Sequence, residues 1–90
     1  MRIDRFLKLS RLVKRRATAC EMVSVGAVRL NGHTVKPSAD VCAGDGLEIA
    51  FPRRLLVVET LSADEHVLKR GGPAFNIIAD RRLADGEMPW

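Results

Sequence analysis

Two cysteines, one tryptophan, three phenylalanines and no tyrosine in 90 residues leave this chain short of several kinds of chemistry. Cys20 and Cys42 form no C-x-x-C pair, so two reduced thiols are expected rather than a disulfide framework, and His33 and His66 do not complete a zinc set with them. Scarce aromatics leave few platforms on which single-stranded bases could stack, since Phe6 belongs to an apolar helix face and Trp90 falls in the tail. No apolar run approaches a membrane span, and no membrane partner is expected. The opening Arg2, Ile3 and Asp4 are not the basic patch and long apolar stretch of a secretory signal, which makes the cytoplasm the expected compartment.

Catalysis is poorly served as well. There is no G-x-S-x-G, no phosphate-cradling glycine loop, no metal-ligand spacing and no coupled pair of histidines, so neither an enzyme, a cofactor nor a small-molecule substrate is expected. Gly44-Asp45-Gly46 reads as a turn between strands, because no helix follows it. His33, at the end of a strand beside Leu30, is expected to be a partly covered structural histidine.

Positive charge, by contrast, is crowded at one end. Residues 1–36 hold nine basic residues against Asp4 and Glu21, a balance of +7, while residues 37–90 hold six against nine acids, a balance of −3. A solvated helix face usually mixes both signs, whereas seven cations beside one acid within the first sixteen residues repel one another unless an external polyanion is expected.

Periodicity places those cations. Ile3, Phe6 and Leu7 share one arc of a helix over residues 2–9, with Arg2, Arg5 and Lys8 on the other side and Asp4 in the first turn, where the helix dipole favours a carboxylate. Ser10 to Lys14 reads as a turn. A second helix then runs from about Arg15 to Val25, buries Ala19, Met22 and Val23, and stops at Gly26. Lys14, Arg15 and Arg16 crowd its N-terminus, where cations oppose the dipole and a docked phosphate would reverse the penalty.

Asn31-Gly32 supplies a type I′ hairpin turn that pairs Val28 with Val35 and Arg29 with Thr34, leaving Arg29, Thr34 and Lys36 on the face away from the valines. Leu47, Ile49 and Phe51 alternate as a strand, and Pro52-Arg53-Arg54 separates it from Leu55 to Val58. Ser62 to Glu65 matches a capping box for a short helix closed by Gly71-Gly72-Pro73. Phe75, Ile77 and Ile78 fit a strand or a helical turn, and Gly86 to Trp90 a loose tail.

Two helices and a hairpin also suggest a DNA-reading helix-turn-helix. The second helix's outward residues, Thr18, Cys20, Glu21 and Ser24, include no Arg, Asn or Gln able to grip a base edge, so structured RNA read through shape and phosphate fits better.

Arg2 to Leu7 (R-I-D-R-F-L), Ser10 to Arg16 (S-R-L-V-K-R-R), Gly26, Val28 to Gly32 (V-R-L-N-G) and Gly44-Asp45 together resemble the S4 RNA-binding domain, in order and with matching spacing over about residues 1–58. The resemblance implies an α+β fold, two helices packed on a small, mostly antiparallel sheet (the alpha-L motif). It implies an S4-like domain over residues 1–60 and a C-terminal extension over 61–90 with a short helix and loose tail. Matching RNA contacts are Arg2, Lys8, Arg11, Lys14, Arg15 and Arg16; Arg5, Arg29 and Lys36 are added from geometry. Two positions depart from the family pattern: Cys20 and Ala27 stand where a basic residue is frequent. Short stand-alone members of the family, related to the fifteen-kilodalton heat-shock ribosome-rescue protein, imply a monomer that binds ribosomal RNA of the large subunit and tRNA during ribosome-associated quality control of stalled chains. The alternative is an accessory subunit of a translation or RNA-processing complex that works through protein contacts, using residues 47–61 and Phe75 to Ile78. Charge reversal at Arg2 or Arg16, both expected at the surface, should leave the fold intact.

Overall fold

Helical spacing of apolar residues gives the first helix, α1 (Ile3–Leu9), in which Ile3, Phe6 and Leu7 are fully buried. The computed structural model describes residues 1–90. Helix α1 ends at Ser10, and the next residue, Arg11, takes a left-handed conformation at φ 66°. Its N–H donates to the Lys8 carbonyl, the Val13 N–H reaches back to Leu7, and Val13 is buried, so the turn is tied to the helix it follows. The second helix, α2 (Arg16–Ser24), buries Ala19 and Val23 and lays Met22 against the core. Gly26 at φ 80° closes it with the two bonds of a Schellman motif, Gly26 N–H to the Val23 carbonyl and Ala27 N–H to the Met22 carbonyl.

Strands β1 (Val28–Leu30) and β2 (His33–Thr34) form the expected hairpin, with Arg29 opposite Thr34 and both Asn31 and Gly32 at positive φ. Asn31 does more than turn the chain. Its side-chain oxygen accepts from the Gly46 N–H at 2.8 Å and its amide donates to Asp45 at 3.1 Å, while Asp45 also accepts from the Cys42 N–H. The N-G and G-D motifs, fourteen residues apart, are therefore one hydrogen-bonded corner.

Strands β3 (Gly46–Phe51), β4 (Arg54–Thr60) and β5 (Phe75–Arg82) complete a five-stranded sheet in the order β2-β1-β3-β4-β5. Every pairing is antiparallel, so the sheet is antiparallel throughout. Val28, Leu47, Ile49, Leu56 and Val58 point to one face and pack against Ile3, Phe6, Leu7, Ala19 and Val23. Each of these side chains other than Ala19 contributes about 1.5–3 kcal/mol through burial. Arg29, Glu48 and Val57 alternate onto the other face.

Residues 61–90 differ from expectation in two ways. Helix α3 (Glu65–Lys69) is capped by Asp64, whose carboxylate accepts from the His66 and Val67 N–H groups. Ser62 instead accepts from the Asp64 N–H, because the carboxylate, two residues closer, is the stronger partner for a helix N-terminus. The tail also makes contacts: Leu83, just before it, is buried and its N–H donates to the Arg53 carbonyl, Glu87 accepts from Arg81 and from the Ala84 N–H, and the Arg29 guanidinium lies over the Trp90 ring. A strand-length run through Arg82, sealed by Leu83, brings these residues back across the end of the sheet. His33 is exposed rather than partly covered, since two-residue β2 is the sheet edge and nothing packs over it.

Candidate nucleic-acid interface

One buried acid organises the cationic end. The Asp4 side chain is 4% exposed, accepts the Arg5 backbone N–H at 2.7 Å, and holds Arg2 through two hydrogen bonds of 3.2 Å each. Arg16, the first residue of α2, reaches the same carboxylate at 3.5 Å. Arg2 and Arg16 nonetheless remain 51% and 44% exposed. Two guanidiniums from different segments are thus fixed side by side with one compensating charge beneath them, a local surplus of positive charge. Their engagement also corrects the expectation for charge reversal, because a glutamate at either position would face buried Asp4, and like charges at such a site destabilise.

Lys8 and Arg11 converge elsewhere. Both line a small hollow with Leu9, Leu68 and Lys69, and neither takes part in an ion pair. Lys69 of α3 is a third cation at this place, and sequence reasoning missed it; its position in the last turn of a capped helix was visible, but not the docking of α3 against α1. Arg5 lies beside this group but ion-pairs with Glu65 of α3, which also pairs with Lys69 at 3.1 Å. Its charge is therefore the least available of the seven.

Lys14 and Arg15 are exposed and unpaired on the turn that joins the two groups. Arg15 occupies the N-cap of α2 with no side-chain hydrogen bond, and the first turn holds no acid. The amides at this helix end have no side-chain acceptor, which suits an anion. From Arg2 to Arg16 the structure thus assembles two cationic clusters linked by a basic turn.

Arg29 and Lys36 stand apart. Arg29 is on the sheet face away from the helices, donates to the Gly32 carbonyl, and carries Trp90 at 5.2 Å. Lys36 is exposed beside Ser24 to Gly26, at the opposite end of α2 from Arg16. No group of three or more His, Cys, Asp or Glu side chains is placed to hold a metal, and no helix is long and apolar enough to cross a membrane.

The comparisons agree with this geometry. The family model described as the S4 domain matches residues 1–47. The RQC P-site tRNA stabilizing factor of Streptococcus pneumoniae is 35% identical over 94% of this chain and 98% of its own length, and that of Bacillus subtilis is 35% identical over 94% of this chain and all of its own. The protein of the same name in Helicobacter pylori J99 is 51% identical over 57% of this chain and 61% of its own length. Among solved structures, the trimeric Heat Shock Protein 15 of Vibrio cholerae superposes with a TM-score of 0.71 over 88% of this chain and 82% of that one, at 23% identity, which shows a shared fold. With the α1–turn–α2 cations and the Asn31–Asp45 corner in place, the chain belongs to the S4 domain family.

Proposed function

We propose that this chain is a non-catalytic RNA-binding protein that docks on ribosomal RNA of the large subunit and steadies tRNA there during ribosome-associated quality control, acting in the cytoplasm as a single copy. The observation that carries the reading is the Asp4 clasp. It spends one buried carboxylate to hold two half-exposed guanidiniums in fixed positions, and cations held in advance lose little entropy when a phosphate arrives. Lys8, Arg11, Lys14 and Arg15 supply unpaired charge around them, and the uncapped start of α2 offers backbone donors to a phosphate oxygen. The relatives' name, RQC P-site tRNA stabilizing factor, supports the tRNA half of the proposal. No bond is made or broken in this role; the contribution is binding energy and position.

The test is co-sedimentation of the purified chain with isolated large ribosomal subunits across a salt series. Six engaged phosphates, at Arg2, Lys8, Arg11, Lys14, Arg15 and Arg16, predict an affinity loss of about a thousandfold between about 50 and 200 mM salt. Binding that ignores salt, or that survives ribonuclease treatment of the particles, overturns the reading. The protein-contact alternative loses much of its surface in this fold, because Leu47, Ile49, Leu56 and Val58 are core; only Leu61, Ile77 and Ile78 remain exposed for it.

A further inference from the structure

Trp90 and Arg29 lie outside both cation clusters, yet the chain brings them together from 61 positions apart. The Arg29 guanidinium sits 5.2 Å from the centre of the Trp90 ring. Two local features make this arginine an unsuitable phosphate ligand. One edge of its guanidinium is already spent on the Gly32 carbonyl. In the sheet register it stands directly beside Glu48, whose carboxylate repels a phosphate, and its other neighbour, Thr34, is uncharged. What remains is a cation positioned over an indole that keeps 39% of its surface exposed. Such a pair is suited to planar, uncharged ligands, because stacking requires an exposed ring face and does not require an excess of positive charge.

The tail is also built to keep the ring there. Buried Leu83, its backbone bond to Arg53, and the contacts of Glu87 with Arg81 and Ala84 hold the chain in place as far as Glu87, three residues before Trp90. We propose that Arg29 and Trp90 form a stacking platform for an unpaired nucleobase, a second contact with RNA on the sheet face that adds to the phosphate seat on the helices. The inference rests on the RNA-binding reading above and extends it from backbone contacts to a base.

The chain has one tryptophan and no tyrosine, so its indole emission reports on position 90 alone. Two RNAs serve as probes, a hairpin with an unpaired loop and a fully paired duplex of the same length, each carrying a dye whose anisotropy reports binding independently. The platform predicts that the loop RNA quenches Trp90 and the duplex does not. Trp90→Ala should weaken loop binding by about tenfold, and Trp90→Phe should recover most of it, with duplex binding within about twofold of the parent. Thermal melts of each variant confirm the fold. If the loop RNA binds while the emission stays constant, or Trp90→Ala weakens both RNAs equally, the platform is overturned and the phosphate seat stands. If neither RNA binds, both proposals fall.

Discussion

The first sixteen residues and the stretch from Arg53 to Glu87 carry similar numbers of cations, seven and six, but those cations meet different fates. In the later stretch four of the six pair with nearby acids: Arg53 with Asp85, Arg54 with Asp80, Lys69 with Glu65 and Arg81 with Glu87. At the N-terminal end a single acid, Asp4, serves two arginines, Glu65 takes Arg5 from across the domain, and Lys8, Arg11, Lys14 and Arg15 have no ion pair. A binding surface is therefore recognised by cations left unneutralised, not by their number. In the proposed reading, the chain tolerates self-repulsion in one place because the surplus there meets the phosphates of RNA.

The strongest way to break this comparison is to remove its one buried acid. A view based on net charge alone expects Asp4→Asn to bind RNA more tightly, since the formal charge rises from the +4 of the parent. The clasp predicts the reverse. Without the carboxylate, Arg2 and Arg16 repel each other and lose their fixed positions, so affinity should fall by about tenfold, the worth of one charge-assisted hydrogen bond, and unfolding free energy by about 1.5–3 kcal/mol. Chemical denaturation and RNA anisotropy on the same variant check both effects; tighter RNA binding would show that the clasp does not position the arginines.

Arg11 sharpens the comparison from another side. A left-handed conformation costs an L-residue about 1–2 kcal/mol, and the position after a helix cap is where glycine is favoured. Arg11→Gly should melt no lower than the parent, and up to about 1 kcal/mol more stable, while losing about threefold to tenfold in RNA affinity through one missing phosphate contact. Opposite signs for stability and binding would identify a strained residue kept for its charge. Equal binding by parent and variant would mean that the turn's shape, not its arginine, is what matters.

Much of this surface was legible in the sequence because its determinants are local. The apolar arc of Ile3, Phe6 and Leu7, the Schellman stop at Gly26 and the positive-φ pair Asn31-Gly32 each depend on residues within a few positions, and each has the expected structure. Asp4 was placed correctly in the first turn, but its partnership with Arg16 depends on how two helices cross, which no spacing encodes. Lys69 and Trp90 were missed for the same reason. The place of Lys69 beside Lys8 and Arg11, and that of Trp90 over Arg29 outside the clusters, depend on long-range docking, of α3 on α1 and of the tail past the sheet's end, where the local sequence shows only a capped turn and a Pro-Trp ending. The helix cap moved from Ser62 to Asp64 because two capping residues two positions apart compete, and the pattern alone does not rank them.

The smallest expected effect tests the comparison most directly. Lys8→Ala and Arg81→Ala each remove one positive charge from exposed side chains, so the long-range field of the molecule changes by the same amount in both. Lys8 is unpaired within a cation cluster on α1, whereas Arg81 on β5 already holds Glu87. Arg81→Ala should leave RNA affinity within about twofold and stability within about 0.5 kcal/mol, since an exposed pair contributes little. Lys8→Ala should lose one counterion from the salt slope, lowering the magnitude of that slope by about 0.7–0.9. If the two variants weaken binding equally and flatten the slope equally, RNA senses only the total charge of the chain, and the distinction between neutralised and unneutralised cations has no functional content.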